Sequence, residues 1–316
     1  NYFFRLSNYQ DKLIEYLSKD GVILPEWRRE EALNFVRGGL EDFSISREVS
    51  RMHWGIPVPG DELQVMYVWF DALTNYISTL DWPEGENFKK FWDEGEVMQM
   101  AGKDQVRFQS IMWQAMLMSA GVKNTDRVVY HGFITSGGQK MSKSIGNVIE
   151  PYSVVNEYGT DALRLFLAKH IHPFEDSDFT MEKFKEAYNA DLANGLGNLA
   201  ARIMQLAEKN LPEVTVPEPI EFPAAYTESL TRFDFSGATT YVWDRISALD
   251  QRIALEQPFK VVKTDAETGK QMIRECVAEL YSIARLVQPI MPTTSDAIKA
   301  AVKDNKKPEN LFPRKE

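Results

Sequence analysis

Hydrophobic and polar positions fall into two textures along the 316-residue chain, with the change near residue 180. Before it, short apolar runs alternate with stretches of helical period. Leu63 to Phe70 (LQVMYVWF) reads as a buried strand, followed by a helical stretch through Leu80. Glu96 to Ala101 (EVMQMA) is a second strand candidate. In DQVRFQSIMWQAMLMSAG, which follows, Phe108, Met112, Ala115 and Met116 recur at helical spacing, and Gly121 is the stop signal. Asp126 to Ile134 (DRVVYHGFI) is the third strand candidate. Such alternation predicts an α/β arrangement with a parallel sheet and crossover helices. Open parallel sheets take ligands beyond the carboxyl ends of their strands. There the sequence puts Trp69 and Asp71, then Gly102, Lys103 and Asp104, then His131 and a glycine-rich loop.

After Thr180 the pattern is all-helical. Phe184, Tyr188, Leu192, Leu196, Leu199, Ile203 and Leu206 step by four or three, which predicts one long amphipathic helix. Leu211 to Pro223 carries four prolines and reads as a surface loop. Helical patterns resume over Tyr226 to Leu255 and Lys270 to Val287, with Pro289 and Pro292 ending the last. This half is expected to be a helix bundle. No repeat or low-complexity tract interrupts either half.

Composition changes this picture little. Hydrophobic residues make up 44% and aromatics 12%, enough for a sizeable core, which excludes the disordered class. The single cysteine, Cys276, permits neither an internal disulfide nor a multi-cysteine zinc site and suits a reducing compartment. No apolar run reaches the ~18 residues of a membrane span. No signal segment opens the chain, and its start at Asn1 is expected to mark a fragment. A net charge of -10 argues against a basic surface of the DNA-packaging kind. Against that background, Ala101 to Ser144 is biased the other way, with Lys103, Arg107, Lys123, Arg127, Lys140 and Lys143 against Asp104 and Asp126.

The end of that stretch, GGQKMSKSIGN (Gly137 to Asn147), offers almost nothing to a core. Lysine is a compact point charge on a flexible stem, suited to phosphate oxygens that move during reaction. Gly137, Gly138 and Gly146 loosen the backbone on either side, and Ser142 and Ser144 add neutral donors. The spacing is not that of a P-loop. On composition alone this is a solvated turn. The string KMSKS, however, resembles the lysine loop of class I aminoacyl-tRNA synthetases. Four further stretches narrow the resemblance to the bacterial-type methionyl-tRNA synthetases: DFSISR (Asp42 to Arg47), WGIPVPGD (Trp54 to Asp61), YVWFDALTNYIS (Tyr67 to Ser78) and AGKDQVRF (Ala101 to Phe108). YNADLANGLGNLAARI (Tyr188 to Ile203) is similar to the start of that family's anticodon-binding bundle.

The resemblance implies methionine–tRNA ligase activity. It implies the second half of a Rossmann-type catalytic domain over 1–150, a stem-contact segment over 151–180 and a helical anticodon-binding domain over 181–316. Lys143 is then the principal loop cation, with Lys140, Ser142 and Ser144 in support. Gly102, Asp104, His131 and Ile134 would meet ATP. Trp69, Ala72, Leu73 and Tyr76 would wall the methionine pocket, with Phe43 and Trp113 behind and Arg47 near the substrate beside an acidic partner. An aromatic wall suits a polarisable thioether. Asn198, Arg202 and Phe259 would read the anticodon. Without the family, these side chains read as ordinary core, a helix N-cap at Asp104, a structural histidine and a polar helix face. Two positions depart from the family's pattern: Gln109 stands where it has a pocket histidine, and Phe259 where it has a stacking tryptophan.

The family's other signature, His-Ile-Gly-His, is absent, and HIHP at His170 lacks the glycine and follows the lysine loop. ATP with its Mg2+, L-methionine, tRNA-Met and the missing N-terminal half are the implied partners. Zinc, which the family carries upstream, is not expected in this chain. Neither DNA nor a membrane is expected, and the compartment is the cytoplasm. Two other readings stay open: a non-catalytic tRNA-binding fragment, and another class I synthetase.

Overall fold

The structure, a computed structural model, describes residues 1–216 and 221–316, and it divides into two compact units, Asn1–Phe133 and Ile134–Glu316. In the first, three strands form a parallel sheet: Ile23–Leu24 on one edge, Arg127–His131 in the centre and Met98–Gly102 on the other edge. The centre is set by composition. Val128, Val129 and Tyr130 are apolar on both faces and buried, as a strand covered on both sides requires. Helices Gln10–Leu17 and Glu26–Arg37 bring Leu13, Leu17, Ala32 and Val36 into the same core. A second core gathers Leu73, Ile77, Phe88, Trp92, Trp113 and Leu117.

Two of the three expected strands lie in this sheet. The third does not. The apolar run Leu63 to Phe70 splits between a strand, Asp61–Met66, and a helix, Val68–Leu73, with Tyr67 in extended conformation between them. That strand belongs to a separate antiparallel sheet with Ser46–Glu48 and Pro57–Val58. Trp69 and Asp71 therefore sit on a helix rather than at the end of a parallel strand. A short apolar run carries no period of its own, so strand and helix read alike there. The true third strand, Ile23–Leu24, is two residues long, too short to make a pattern.

The helix after Gly102 also departs from simple spacing. Over Arg107–Met112 the backbone widens, and the Trp113 N–H reaches back five residues to the Phe108 carbonyl. One extra residue in the turn rotates the face, so Gln109, Ser110 and Ile111 are buried while Phe108 and Met112 are only half-buried.

The second unit has one large core. Leu165, Phe166, Phe179, Phe184, Leu192, Leu199, Ile203, Ile246, Leu280 and Ile298 all belong to it. The helices Pro151–Tyr158 and Thr160–His170, from the expected stem-contact segment, share this core with the bundle. The expected long helix is broken into Met181–Ala187, a wide-turned stretch Tyr188–Gly197 and Asn198–Asn210. Gly195, at φ -89° and ψ -109°, is the break. Its apolar face nevertheless stays on one side, with Phe184, Tyr188, Leu192, Leu196, Leu199 and Ile203 all buried. Helix Ala224–Thr231 and helix Phe235–Glu256 replace the single pattern from Tyr226, and Ala266–Val287 matches the next one. That helix ends at Val287, ahead of Pro289 as expected, and Pro292 begins a further helix, Pro292–Lys303, since proline suits a first helical turn. Part of the proline-rich loop Leu211 to Pro223 lies outside the described residues. Among the described residues no helix is long and apolar enough to cross a membrane.

Candidate active site

The carboxyl ends of two adjacent parallel strands meet at Gly102 and His131, which are partners in the ladder. A Cβ on Gly102 would lie 2.9 Å from Asp104 Oδ1, so the glycine is what allows that carboxylate to fold back over the strand end. Asp104 is exposed in the short turn Lys103–Gln105, where no side chain caps the helix start. His131 Nδ1 is 2.8 Å from the Gly132 carbonyl. A carbonyl only accepts, so Nδ1 carries the proton in this contact. These three residues are brought together as a polar strand-end group. Ile134, expected beside them, opens the second unit and is 39% exposed.

The expected methionine wall forms two linked pairs. Trp69, on helix Val68–Leu73, lies 4.9 Å from the Phe108 ring. Tyr76 lies 5.9 Å from the Trp113 ring and accepts a 2.7 Å hydrogen bond at Oη from Gln109 Nε2. Gln109 is buried, and among the described residues neither its Oε1 nor the Trp113 indole N–H has a hydrogen-bond partner. Ala72 is half-buried, and Leu73 is a core residue. Phe43 stands apart, with its ring on Phe4 at 5.5 Å. A 430 Å³ groove in this unit includes Trp113 among its lining, with Phe4, Phe70, Trp82 and Met116, but none of Trp69, Ala72, Leu73, Tyr76 or Gln109.

Arg47 differs from expectation. No carboxylate pairs with it among the described residues. Its guanidinium instead bonds Ser44 Oγ at 2.8 Å and the Ser46 carbonyl at 2.7 Å, and covers the Tyr67 ring at 4.4 Å. One guanidinium nitrogen, Nη1, makes both of these bonds, and the planar face of the group suits an aromatic ring.

In the second unit, Ile134–Ser136 and Gln139–Lys140 form a hairpin with Ser136 opposite Gln139. The two-residue turn is Gly137–Gly138, at φ 62° and 73°. A mirror-image turn with positive φ at both centres matches strand twist, and paired glycines adopt it without strain. Met141 then packs against the large core and anchors the loop. The Ser142 N–H bonds Asn147 Oδ1 at 2.9 Å, the Ser142 and Ser144 hydroxyls share a 2.7 Å bond, and the Asn147 side-chain amide donates to the Lys140 carbonyl at 3.2 Å. Lys143 is carried at the tip of this turn with its side chain exposed. The backbone is thus folded while the Lys143 side chain is exposed.

On helix Asn198–Asn210, Asn198 is exposed and Arg202, one turn on, is half-buried, opposite the buried Leu199, Ala200 and Ile203. Arg202 donates to Asp250 Oδ1 at 2.6 Å, a partner 48 residues away that no local spacing announces. Phe259 begins helix Pro258–Thr264 and is 37% exposed. His170 bonds Asp191 at 2.8 Å, and His172 Nδ1 accepts the Phe174 and Glu175 N–H groups, so HIHP is structural.

Asp178 is absent from the sequence-derived set. Its Oδ1 accepts the Gly138 N–H at 2.9 Å and the Thr135 hydroxyl at 3.2 Å, and Lys183 Nζ lies 3.1 Å from Oδ2. It is forty residues from the loop it touches, and only tertiary pairing brings it there.

With this geometry in view, the similarities to known proteins are specific. The family described as tRNA synthetases class I (M) matches residues 1–204. Methionine–tRNA ligase of Mycobacterium leprae is 39% identical over 315 residues, covering 93% of this chain and 58% of that protein. The Fusobacterium nucleatum ligase is 38% identical, over 94% of this chain and 49% of its own length. Mycobacterium tuberculosis methionyl-tRNA synthetase, solved in complex with methionyl-adenylate, superimposes with a TM-score of 0.83 at 34% identity, over 100% of this chain and 67% of that one. Its apo form gives a TM-score of 0.82 at 32% identity. The chain spans about half to three fifths of the length of these two curated relatives.

Proposed function

Because this chain belongs to the class I tRNA synthetases of the methionine branch, we propose that it supplies the lysine-loop half of a methionine–tRNA ligase. The reaction joins methionine to ATP with release of pyrophosphate and then passes the methionyl group to tRNA-Met. Phosphoryl chemistry is largely positioning and charge stabilisation, so a cation that arrives where the leaving group gains charge is the protein's main lever. The observation that carries this reading is the lysine loop itself. Its backbone is held by a two-glycine turn, Met141 and Asn147, while Lys143 is exposed at its tip.

In this reading Lys143 neutralises the departing pyrophosphate and Lys140 supports it. Ser142 and Ser144 shape the loop. Gly102 lets adenosine approach the strand end, and Asp104 accepts from the vicinal ribose hydroxyls. His131 offers Nε2, its Nδ1 being committed to Gly132, and Ile134 lends backbone groups. Magnesium enters bound to ATP, and the family's zinc lies outside this chain. Trp69, Ala72, Leu73, Tyr76 and Gln109 hold methionine, with Phe43 and Trp113 behind them and Arg47 near the substrate. Asn198, Arg202 and Phe259 contact splayed anticodon bases, as single-stranded RNA recognition requires. The domain boundaries are 1–150, 151–180 and 181–316, and the cytoplasm is the compartment.

The test is methionine-dependent ATP–pyrophosphate exchange in the complete synthetase bearing this segment. Lys143→Ala slows exchange by ~100-fold or more, the scale for losing one preorganised charge. An unchanged rate refutes the assignment. The 316-residue chain holds no His-Ile-Gly-His signature and is expected to show no exchange alone.

A further inference from the structure

The first strand of the hairpin that carries the lysine loop, Ile134–Ser136, is the middle of a three-stranded sheet, with Gln139–Lys140 on one edge and Ser177–Asp178 on the other. Thr135 therefore lies opposite two residues at once, Lys140 on the antiparallel side and Asp178 on the parallel side. In a two-residue turn the N–H of the second turn residue has no place in the ladder. Here that group belongs to Gly138, and Asp178 Oδ1 takes it at 2.9 Å. The same oxygen accepts the Thr135 hydroxyl at 3.2 Å, so one carboxylate grips both the turn and the strand leading into it.

Asp178 is itself held firmly. Next to it, Phe179 is buried among Phe166 and Phe184, at 4.8 and 5.6 Å, and its N–H bonds the Thr135 carbonyl at 2.9 Å. Thr180 then caps helix Met181–Ala187, which carries Lys183 to the second carboxylate oxygen. The Gly138 N–H, Lys183 and Thr135 together keep the Asp178 carboxyl below the usual carboxylate range. With both glycines at positive φ, the turn alone has little stiffness. The carboxylate supplies it.

We propose that Asp178 is the positioning residue of the lysine loop: by fixing the Gly137–Gly138 turn it sets the direction from which Lys140 and Lys143 reach the leaving pyrophosphate, without touching substrate. The catalytic part of this inference rests on the reading under Proposed function. The geometric part does not.

Two measurements separate them. In the 316-residue chain, amide hydrogen exchange over the peptide 134–147 is compared for wild type, Asp178→Ala and Lys183→Met. Asp178→Ala is expected to speed exchange of that peptide at least tenfold while the bundle helices keep their protection, and Lys183→Met is expected to leave it unchanged. Equal protection in Asp178→Ala overturns the inference, as does a loss spread through the whole unit, which would make Asp178 a general fold residue. In the complete synthetase, Asp178→Ala is expected to lower kcat for methionine-dependent pyrophosphate exchange ~10- to 100-fold, the scale for a small misplacement of a reacting group. KM for methionine is expected to stay within about twofold, and Asp178→Asn, which retains an acceptor for Gly138, to recover most of the loss. A wild-type kcat in Asp178→Ala, or no recovery in Asp178→Asn, overturns the positioning role. Absence of methionine-dependent exchange in the wild-type enzyme sinks the ligase reading instead, and hydrogen exchange still decides whether Asp178 holds the loop.

Discussion

Gly269→Ala tests how closely the bundle is packed where it presents Phe259. Gly269 is buried in the first turns of helix Ala266–Val287, against the preceding helix Pro258–Thr264. A Cβ at this position would lie 2.2 Å from Val262 Cα, 2.4 Å from Val262 N and 2.6 Å from Val262 Cβ. Two of these three atoms are backbone, so no rotamer change relieves the clash. Restoring even a tight 3.4 Å contact requires 3.4 minus 2.2, or about 1.2 Å of helix displacement. Overpacking of this kind costs ~1–3 kcal/mol, and a backbone obstacle belongs at the upper end. Alanine returns ~1 kcal/mol of helix propensity over glycine. The net is a destabilisation of ~2 kcal/mol, which for a unit of this size corresponds to a fall in Tm of ~4–8 °C. Far-UV circular dichroism of the 316-residue chain, followed through thermal melting of the helical unit, reads it directly. Val262→Ala added to Gly269→Ala is expected to recover little, because the obstacle is the main chain. An unchanged or raised Tm in the single variant, or full recovery in the double, refutes close helix contact at Gly269.

Two more outcomes follow from particular contacts. Gln109→Leu removes the donor to Tyr76 Oη but also the unpartnered, buried Oε1. A hydrogen bond is worth ~1 kcal/mol and an unsatisfied buried acceptor costs a similar amount, so Tm is expected to move little. KM for methionine in the complete enzyme is expected to rise ~5- to 10-fold if the pair orients the Tyr76 hydroxyl, and an unchanged KM counts against that role. Asp191 gives a pH signature. Burial pushes its carboxyl up, but hydrogen bonds from His170 and Lys169 more than offset this and hold it below the ordinary range. Because the folded value is depressed, its contribution is complete above the unfolded carboxylate value of ~3.9 and is lost as pH falls through the folded value. The Tm difference between wild type and Asp191→Asn should therefore shrink as pH falls below about pH 4. A difference that persists undiminished at pH 3 removes Asp191 from the account.

The bundle's apolar face was legible along the chain, because helical spacing puts Phe184, Leu192, Leu199 and Ile203 on one side whether or not the helix is continuous. Two parallel strands and their polar ends were equally legible: Arg127–His131 because a central strand is apolar on both faces, and the edge strand Met98–Gly102 as a short apolar run ending at a glycine. The continuity of elements was not. The wide turns at Arg107–Met112 and Tyr188–Gly197, and the break at Gly195, depend on what packs against them.

The same division runs through the candidate site. Local chemistry decided that Lys140 and Lys143 share a polar, glycine-flanked loop, because that preference is a property of neighbouring residues. That Gly137–Gly138 turns a hairpin, and that Met141 packs on the core although the stretch reads as offering a core almost nothing, came from the structure. Tertiary structure alone decided that Arg47 bonds carbonyls rather than a carboxylate, that Asp250 holds Arg202, and that Asp178 grips Gly138. The last two join groups through a helix pairing and a strand register, forty-eight and forty residues apart, and the distance along the chain carries no trace of either.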